Sequence, residues 1–323
     1  MGNFKKRKNI RLETLAVAGA ILWLVVISVL RFSLPGASHQ ETRVKVGFLP
    51  ITCHLLLPVA MEREEFFKKH VLPVKYTSWP DMIESVKGGE LDAALILAPI
   101  AISMMDQGVP VEIALLGHRN GTGLVVSSKR PVNQVKEFEG KTVAIPIRYS
   151  TQNLALLSLL EKNRVDLQRV NRVELPPPDM PSALASGAID GYIVGEPYAT
   201  QARLMEAGKI FRNISSIWPG FISSVLIVRK DALKKNPGLM DSLIKGLYRQ
   251  GQWIEDNRKP AADMGARFFG LSEKLIETVL LARHVSYKNI LPRKEEFQDI
   301  GRKMVRYGLL KRVPQIGIYE KWH

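Results

Sequence analysis

Short strand patterns alternate with helix patterns along most of the chain, and this alternation limits the fold more than any other feature of the sequence. The predicted strands are Val44–Leu49, Pro73–Thr77, Asp92–Leu97, Val111–Gly117, Leu124–Ser127, Thr142–Pro146, Arg172–Leu175 and Asp190–Val194. The predicted helices are Leu55–His70, Pro80–Lys87, Thr151–Asn163, Met180–Ser186, Leu233–Asn257, Pro260–Phe269, Glu273–Leu281 and Glu295–Tyr307. The alternation predicts an α/β protein with largely parallel sheets. The chain has 323 residues, more than one ordinary domain holds, and its middle third reads as a second α/β unit inserted into the first.

The N-terminal region has the pattern of a membrane-targeting segment. Basic residues lie at Lys5–Lys8 and Arg11, and an uninterrupted run of apolar or small residues extends from Thr14 to Leu30. This run nearly spans a bilayer core and is longer than the apolar part of a typical cleaved signal peptide. We therefore expect a cytoplasmic basic segment at 1–11 and a signal anchor, a transmembrane helix, at 12–34, with a cleaved signal peptide as the alternative. Because basic flanks stay in the cytoplasm, the rest of the chain is expected in the periplasm or another extracytoplasmic space, anchored to the inner membrane.

The formal net charge of +15 divides unequally between these two parts. Residues 1–33 hold six Lys or Arg and one Glu, a net charge of +5, so +10 remains on the rest of the chain. In that part the basic residues are dispersed, without the basic helix or aromatic-interleaved stripe that is typical of nucleic-acid binding. The charge therefore predicts no nucleic-acid partner, whereas an anionic solute or an anionic membrane surface is compatible with it.

Sequence patterns of common enzyme and metal sites do not occur in the chain. It has one cysteine, Cys53, and its six histidines do not fall at metal-ligand spacing. Motifs of serine hydrolases, zinc proteases, phosphate loops and dinucleotide-binding folds are missing too. We therefore expect a protein that is not an enzyme and that needs neither a metal nor another cofactor.

Four predicted strand-to-helix junctions carry polar or aromatic side chains. They are Ile51–His54, Thr77–Asp81, Tyr149–Asn153 and Gly195–Tyr198. In open α/β sheets ligands bind beyond the carboxyl ends of the strands, where helix N-termini offer free N–H groups. Two such edges that face each other would form a cleft for a polar or anionic solute.

Individual residues at these junctions allow two interpretations. Thr52 and Ser78 have the residue types of helix caps. Trp79 lies between a capping serine and a proline, which favours an exposed wall of the cleft over a place in the core. His54 could contact the ligand or be a structural histidine, and Cys53 reads as an inert, half-buried thiol. Glu196 could contact the ligand or form an ion pair.

A further candidate segment follows the strand that ends at Gly117. His118, Arg119 and Asn120 precede a glycine there, so they could line the cleft or connect two lobes.

Several motifs together resemble the nitrate/sulfonate/bicarbonate family of substrate-binding proteins of ABC transporters. They are GFLPIT, TSWPDMIESVKGGELDAALILAP, HRNGTG, GKTVAIP, YSTQN, PPPDM and GAIDGYIVGEPYA, in this order. The resemblance extends roughly from Val44 to Asn257 and is strongest to the nitrate- and bicarbonate-binding branch. It implies a type II periplasmic-binding-protein fold, with lobe 1 at 42–125 plus 226–323 and lobe 2 at 126–225. It also implies delivery of a small solute to an ABC permease and its ATPase.

The resemblance implies ligand contacts at five positions, and three of them differ from the nitrate branch. Trp79 and Gly195 match its tryptophan and glycine that touch the oxyanion. Thr122 replaces a glutamine, Gln152 replaces a histidine, and Ser224 replaces a lysine. Both cationic contacts are therefore neutral here. A buried unpaired anion is costly, so the ligand is either neutral, aromatic or zwitterionic, or its charge is met by a cation from elsewhere.

The chain offers three substitute cations for such an anion. They are His54, Arg119 and Arg148. The sequence leaves open whether any of them reaches the cleft, so a small polar solute and a small anionic solute both stay compatible.

Two alternative functions accompany this interpretation. The first is an extracytoplasmic sensor of the same fold that signals to a membrane partner, which a neighbouring histidine kinase gene would favour over permease and ATPase genes. The second is an enzyme such as the related pyrimidine synthases of thiamine biosynthesis. The single Cys53 and the exported topology argue against the enzyme.

Overall fold

The structure, a computed structural model, describes residues 19, 21–27 and 43–321 and forms two compact units, Met1–Thr42 and Arg43–His323. In the first unit residues 21–27 are helical. Among the described residues, no helix is both long enough and apolar enough to cross a membrane. The basic segment at 1–11 and most of the signal anchor at 12–34 lie outside the described residues, so both stay predictions.

The second unit alternates strands and helices. Its strands are β1 (Val44–Phe48), β2 (Val71–Lys75), β3 (Ala93–Leu97), β4 (Val111–Leu116), β5 (Arg119–Asn120), β6 (Thr122–Ser127), β7 (Thr142–Ile145), β8 (Asn171–Glu174), β9 (Gly191–Gly195), β10 (Gly208–Asn213), β11 (Ser224–Arg229) and β12 (Val285–Ser286). Its helices are α1 (Leu56–Arg63), α2 (Glu65–His70), α3 (Trp79–Lys87), α4 (Ala98–Asp106), α5 (Thr151–Lys162), α6 (Met180–Ser186), α7 (Tyr198–Leu204), α8 (Lys230–Lys235), α9 (Pro237–Asp256), α10 (Arg258–Phe269), α11 (Glu273–Leu281) and α12 (Lys294–Arg306).

The first sheet has the strand order β2-β1-β3-β11-β4. β1 pairs in parallel with β2 and β3, whereas β11 runs antiparallel to β3 and β4. All side chains of β3 and nearly all of β11 are buried. Such continuous burial is expected for central strands of a sheet that is covered on both faces.

The second sheet has the strand order β10-β6-β9-β7-β8. β7 pairs in parallel with β8 and β9, and β6 runs antiparallel to β9 and β10. β6 crosses the expected lobe border at residue 125, yet all its strand partners belong to the second sheet. The chain leaves the first sheet after Leu116, enters the second at Thr122 and is back in the first at Ser224. Strand pairing decides where the chain changes sheet, and the hydrophobic pattern of one strand does not reveal its partner. The bounds of the two lobes stay a prediction.

The two connections between the sheets are hydrogen-bonded to each other. The N–H of Asn120 donates to the carbonyl of Phe221 at 2.8 Å, and β5 pairs with β12. Gly117 lies very close to two neighbouring segments. A Cβ there would lie 2.3 Å from the carbonyl oxygen of Cys53 and 2.5 Å from Oγ of Ser224. Any side chain at this position would therefore separate the two connections.

Two predicted helices are broken in the structure, and several elements, among them α4, β10 and β11, were not predicted. Glu64 is extended between α1 and α2, and Pro237 begins α9 after a break at Asn236. The helix α4 was missed because it is buried on almost all sides and therefore lacks amphipathic periodicity. The strand β10 was also missed; it lies at the edge of its sheet and carries exposed polar residues.

Candidate functional site

A small cavity lies where the ends of the two sheets meet, and its volume is about 10 Å³. Both sheets and their loops contribute to its wall: Ile51, Cys53, Trp79, Leu97, Pro146, Gln152, Pro177, Val194, Gly195 and Ser223. This volume is close to the minimum that one water molecule needs. The cleft is thus closed around a tight space, and no side chain in its wall carries a full charge at neutral pH.

All four predicted strand-to-helix junctions reach this cavity or the helix that borders it. Cys53 follows β1, and Trp79 is the first residue of α3, where Ser78 accepts a hydrogen bond from the N–H of Asp81. Gln152 lies in the first turn of α5, and Gly195 ends β9. The parallel strands therefore bring these residues to one edge of each sheet.

Thr122 and Ser224 reach the same place from the other chain direction. They are the first residues of β6 and β11, which run antiparallel to their neighbours. In the ladders Thr122 lies opposite Gly195, and Ser224 lies opposite Leu97. The starts of antiparallel strands thus join the carboxyl ends of parallel strands at the cleft.

Polar atoms of the cavity wall, of residues that adjoin it and of the connection at 117–121 are buried without a hydrogen-bond partner among residues 43–321. They are Nε2 of His54, Nε1 of Trp79, Nδ1 of His118, Oδ1 of Asn120, Oγ1 of Thr122, Oε1 of Gln152 and Oγ of Ser224. Folded proteins satisfy the large majority of buried polar atoms, and each unsatisfied one costs about 1–3 kcal/mol. A concentration of such atoms at one place is typical of a site where a polar ligand supplies the missing hydrogen bonds.

Burial keeps the titratable groups of the site uncharged. It lowers the pKa of His54 to about 3 and the pKa of His118 to about 4, so both imidazoles are neutral at pH 7. It also raises the pKa of the Cys53 thiol to about 11. Nδ1 of His54 lies 2.8 Å from the backbone nitrogen of Leu49, and the ring meets the indole of Trp79 edge-on at 6.0 Å.

The other two candidate cations also lie away from the cavity wall. Arg119 forms a salt bridge with Glu296 at 2.8 Å and donates to the carbonyls of Asn289 and Gly220. Arg148 lines a separate groove beside the second sheet. None of the three candidates places a positive charge in the cavity.

Glu196 and Thr52 have different partners from those expected. The Glu196 carboxylate accepts hydrogen bonds from the backbone N–H and the hydroxyl of Thr200, both at 2.9 Å, and thereby caps the start of α7. Burial raises the pKa of this carboxyl. Thr52 does not cap a helix; its hydroxyl donates to the Glu196 carbonyl at 2.8 Å, because a residue from the other sheet lies closer than the helix start.

The expectation of an exposed Trp79 and a half-buried Cys53 is wrong in this conformation. Trp79 is 3% exposed and Cys53 is 1% exposed, and both line the small cavity between the sheet ends. Asn120 is partly buried in the connection between the sheets, with a positive φ of 65°.

Sequence reasoning missed Ser223 as a residue of the site. Its hydroxyl accepts a hydrogen bond of 2.7 Å from Nε2 of Gln152, and its carbonyl accepts the N–H of Ala98. A serine pair before a strand carries no distinctive signal, so only the neighbourhood of Gln152 shows its role.

Hydrogen bonds link the two sides of the cleft. Besides the Gln152–Ser223 bond, the N–H of Thr52 donates to the Glu196 carbonyl at 3.1 Å, and the Tyr198 hydroxyl donates to the Pro50 carbonyl at 3.1 Å. These bonds join loops of the first sheet to loops of the second.

Comparison with known proteins places this architecture in a family. The model of the NMT1-like family matches residues 37–267. The chain belongs to this family. The expected resemblance to substrate-binding proteins of the nitrate, sulfonate and bicarbonate type is thereby confirmed, because the relatives and structural neighbours of this NMT1-like chain include nitrate-, taurine- and sulfonate-binding proteins.

Individual relatives show how far the similarity extends. The nitrate import ATP-binding protein NrtC of Synechocystis sp. is 31% identical over 70% of this chain and 37% of its own length. The taurine-binding periplasmic protein of Escherichia coli is 28% identical over 53% of each chain. This NMT1-like chain thus spans between about a third and about half of the curated relatives it matches.

The fold is that of periplasmic binding proteins. The crystal structure of the periplasmic nitrate-binding protein NrtA from Synechocystis PCC 6803 superposes with a TM-score of 0.77 at 18% identity, covering 84% of this chain and 83% of NrtA. A match at this level of identity shows that the NMT1-like chain shares the two-sheet architecture. It does not show the ligand of the chain, which depends on the residues of the cleft.

Proposed function

We propose that the protein is an extracytoplasmic solute-binding protein that delivers a small polar solute to an ABC importer, with a permease and an ATPase as partners. The observation that carries this proposal is the cluster of unpartnered polar atoms at the facing ends of the two sheets. The roles of the relatives, nitrate import and taurine binding, support a transport function.

In this proposal the two sheets are the cores of the two lobes of a type II periplasmic-binding-protein fold. Lobe 1 comprises the first sheet with the C-terminal helices, and lobe 2 comprises the second sheet. The hydrogen-bonded connections at Gly117–Gly121 and before Ser224 form the hinge about which the lobes open. Residues 12–34 anchor the domain to the membrane.

The solute of this proposal is polar and carries no net charge. The wall of the cavity holds no cation, and His54 and His118 are neutral at pH 7. Donors such as the Trp79 indole N–H and acceptors such as Oε1 of Gln152 lie together, which suits a ligand with both kinds of group. An anion would lose its hydration without gaining a charged partner.

A thermal-shift screen of the full-length protein tests the proposal. The screen contains nitrate, bicarbonate, taurine and alkanesulfonates beside uncharged amides and pyrimidines. A true ligand at a hundredfold excess over its Kd raises the free energy of unfolding by about 2.7 kcal/mol. We expect an uncharged compound to give the largest rise in Tm, and a rise with nitrate alone would refute the uncharged solute.

Two variants localise the effect to the cleft. Trp79→Phe removes the indole N–H and Gln152→Ala removes the amide, so both should lower the ligand-dependent rise in Tm. Trp253→Phe is the matched control, because Trp253 lies on α9 and contacts Arg63 outside the cleft. A ligand shift that both cleft variants retain in full would place the binding site elsewhere.

A further inference from the structure

A groove rich in arginine lies beside the second sheet and has a volume of about 730 Å³. Four arginines, Arg148, Arg169, Arg172 and Arg306, line it together with one acidic residue, Glu174. We call this feature the arginine groove. It is separate from the cleft cavity, since the two share no lining residue.

Two of the four arginines are neutralised by ion pairs. Arg169 pairs with Glu139 at 2.7 Å, and Arg306 pairs with Glu161 at 2.8 Å. Their charges are thus met within the protein.

Arg148 and Arg172 have no carboxylate partner for their guanidinium groups among residues 43–321. Nη1 of Arg172 donates to Oδ1 of Asn153 at 3.3 Å, which holds the side chain against the start of α5. Oε1 of Glu174 accepts the backbone N–H of Arg148 at 2.6 Å, so one oxygen of this carboxylate is engaged with the main chain. Partial burial and the nearby charge of Arg148 both lower the pKa of Arg172.

Two like charges that line one concave surface repel each other while the site is empty. An anion between them relieves this repulsion, so the surface favours the binding of an anion. Guanidinium groups bind tetrahedral oxyanions through paired N–H donors, which gives them a strong match to phosphate. We propose that the arginine groove binds a phosphate group between Arg148 and Arg172. The phosphate is either free in solution or part of a membrane lipid headgroup, and this binding is independent of the solute in the cleft.

Titration calorimetry of the full-length protein with inorganic phosphate tests the proposal. We expect the double variant Arg148→Gln/Arg172→Gln to weaken phosphate binding by roughly tenfold or more, since both charge-assisted contacts are removed. The matched control is Arg203→Gln/Arg212→Gln, which removes the same charge from exposed positions of α7 and β10 and should leave phosphate binding unchanged.

Unchanged phosphate binding in the double variant, or an equal loss in the control, would overturn the site. Absence of phosphate binding by the wild-type protein would overturn it as well. Glycerol 3-phosphate and the phosphodiester glycerophosphoglycerol distinguish the sources. Equal affinity for the diester supports a lipid headgroup, and preference for inorganic phosphate supports a free anion. The ligand-dependent rise in Tm of the cleft solute should persist in the double variant, which separates this site from the proposed function.

Discussion

At the scale of single residues, the candidate site offers neutral polar side chains in place of charged ones. Gln152 and Ser224, for which the resemblance implies a histidine and a lysine in the nitrate branch, are neutral, and burial keeps His54 and His118 uncharged. The cleft thus holds several hydrogen-bonding atoms without a net charge. This arrangement favours recognition by hydrogen-bond pattern over recognition by electrostatic attraction.

Gly195 offers a test of whether the cavity is the binding site. A Cβ there would lie 3.8 Å from both Sγ of Cys53 and Nε2 of Gln152, an ordinary contact distance. Gly195→Ala should therefore fold normally while its methyl group fills a cavity of about 10 Å³. We expect solute affinity to fall roughly tenfold with little change in the Tm of the free protein.

Calorimetric titration with the solute found in the screen measures this effect. The control is Gly238→Ala, since nothing lies within 4 Å of a Cβ at that helical position. Full affinity in Gly195→Ala would exclude the cavity as the site.

The buried histidines predict a dependence of stability on pH. His54 and His118 titrate near 3 and 4 in the folded protein, and a histidine in an unfolded chain titrates near 6.5. Below pH 6.5 the unfolded chain binds more protons, so the free energy of unfolding falls as pH falls toward the folded pKa values. The expected slope is about 1 kcal/mol per pH unit for each histidine.

Urea denaturation at pH 7, 6 and 5 measures this slope. The variant His118→Gln should show a smaller slope than the wild type, because it removes one of the two groups. An identical slope in both proteins would contradict a buried neutral His118.

At the scale of elements, helix starts position the site. Ser150 caps α5, since its Oγ accepts the N–H of Asn153 at 3.1 Å and donates to the Ile147 carbonyl at 2.7 Å. The cap orients the first turn, in which Thr151 and Gln152 reach the cleft. The sequence predicted this helix, at Thr151–Asn163, almost to the residue.

Loss of this cap should destabilise the protein measurably. Ser150 is fully buried, and Ser150→Ala leaves the N–H of Asn153 without its acceptor. We expect a loss of about 1–2 kcal/mol in the free energy of unfolding by urea denaturation. Ser216→Ala, at an exposed 3₁₀ turn, is the control and should change stability by less than about 0.5 kcal/mol. Equal losses in the two variants would argue against the cap.

At the scale of the whole molecule, side chains near the C-terminal end of α12 connect the layer of the first sheet with the layer of the second sheet. Arg306 and the hydroxyl of Tyr307 both bond to the carboxylate of Glu161 on α5, at 2.8 and 2.9 Å. We call these contacts of Arg306 and Tyr307 with Glu161 the clasp. The clasp lies on the solvent side and adds to the hydrogen bonds inside the cleft. Hydrogen bonding to Arg306 lowers the pKa of Glu161, so the clasp is charged at neutral pH.

Weakening the clasp should shift the protein toward an open form. Glu161→Gln removes the charge, and since exposed ion pairs contribute little, we expect solute affinity to fall by only about two- to fivefold. Small-angle X-ray scattering of the solute-free variant should show a larger radius of gyration than the wild type. The salt bridge of Lys259 with Glu277 supplies the control variant Glu277→Gln, which should leave both quantities unchanged. Unchanged scattering and affinity in Glu161→Gln would remove the clasp from the closing mechanism.

Comparison of the predictions with the structure shows where sequence reasoning works. Trp79, Gln152 and Gly195 line the cavity as their junctions indicated, because a parallel strand always delivers its carboxyl end to the same edge. Thr122 and Ser224 were identified through the family resemblance alone. Their antiparallel strands reach the cleft with the opposite end, which no local pattern reveals.

The sequence by itself determined the alternation of strands and helices and the helix starts, and through the family resemblance it predicted neutral residues at two positions that are cationic in the nitrate branch. These are properties of neighbouring residues or of matched motifs. Tertiary structure alone decided the partner of each side chain. It placed Arg119 on Glu296, turned the Glu196 carboxylate to Thr200 and collected Arg148 and Arg172 in the arginine groove. Charge and hydrogen bonding act over a few ångströms in space, and residues far apart in the chain become neighbours only when the sheets form.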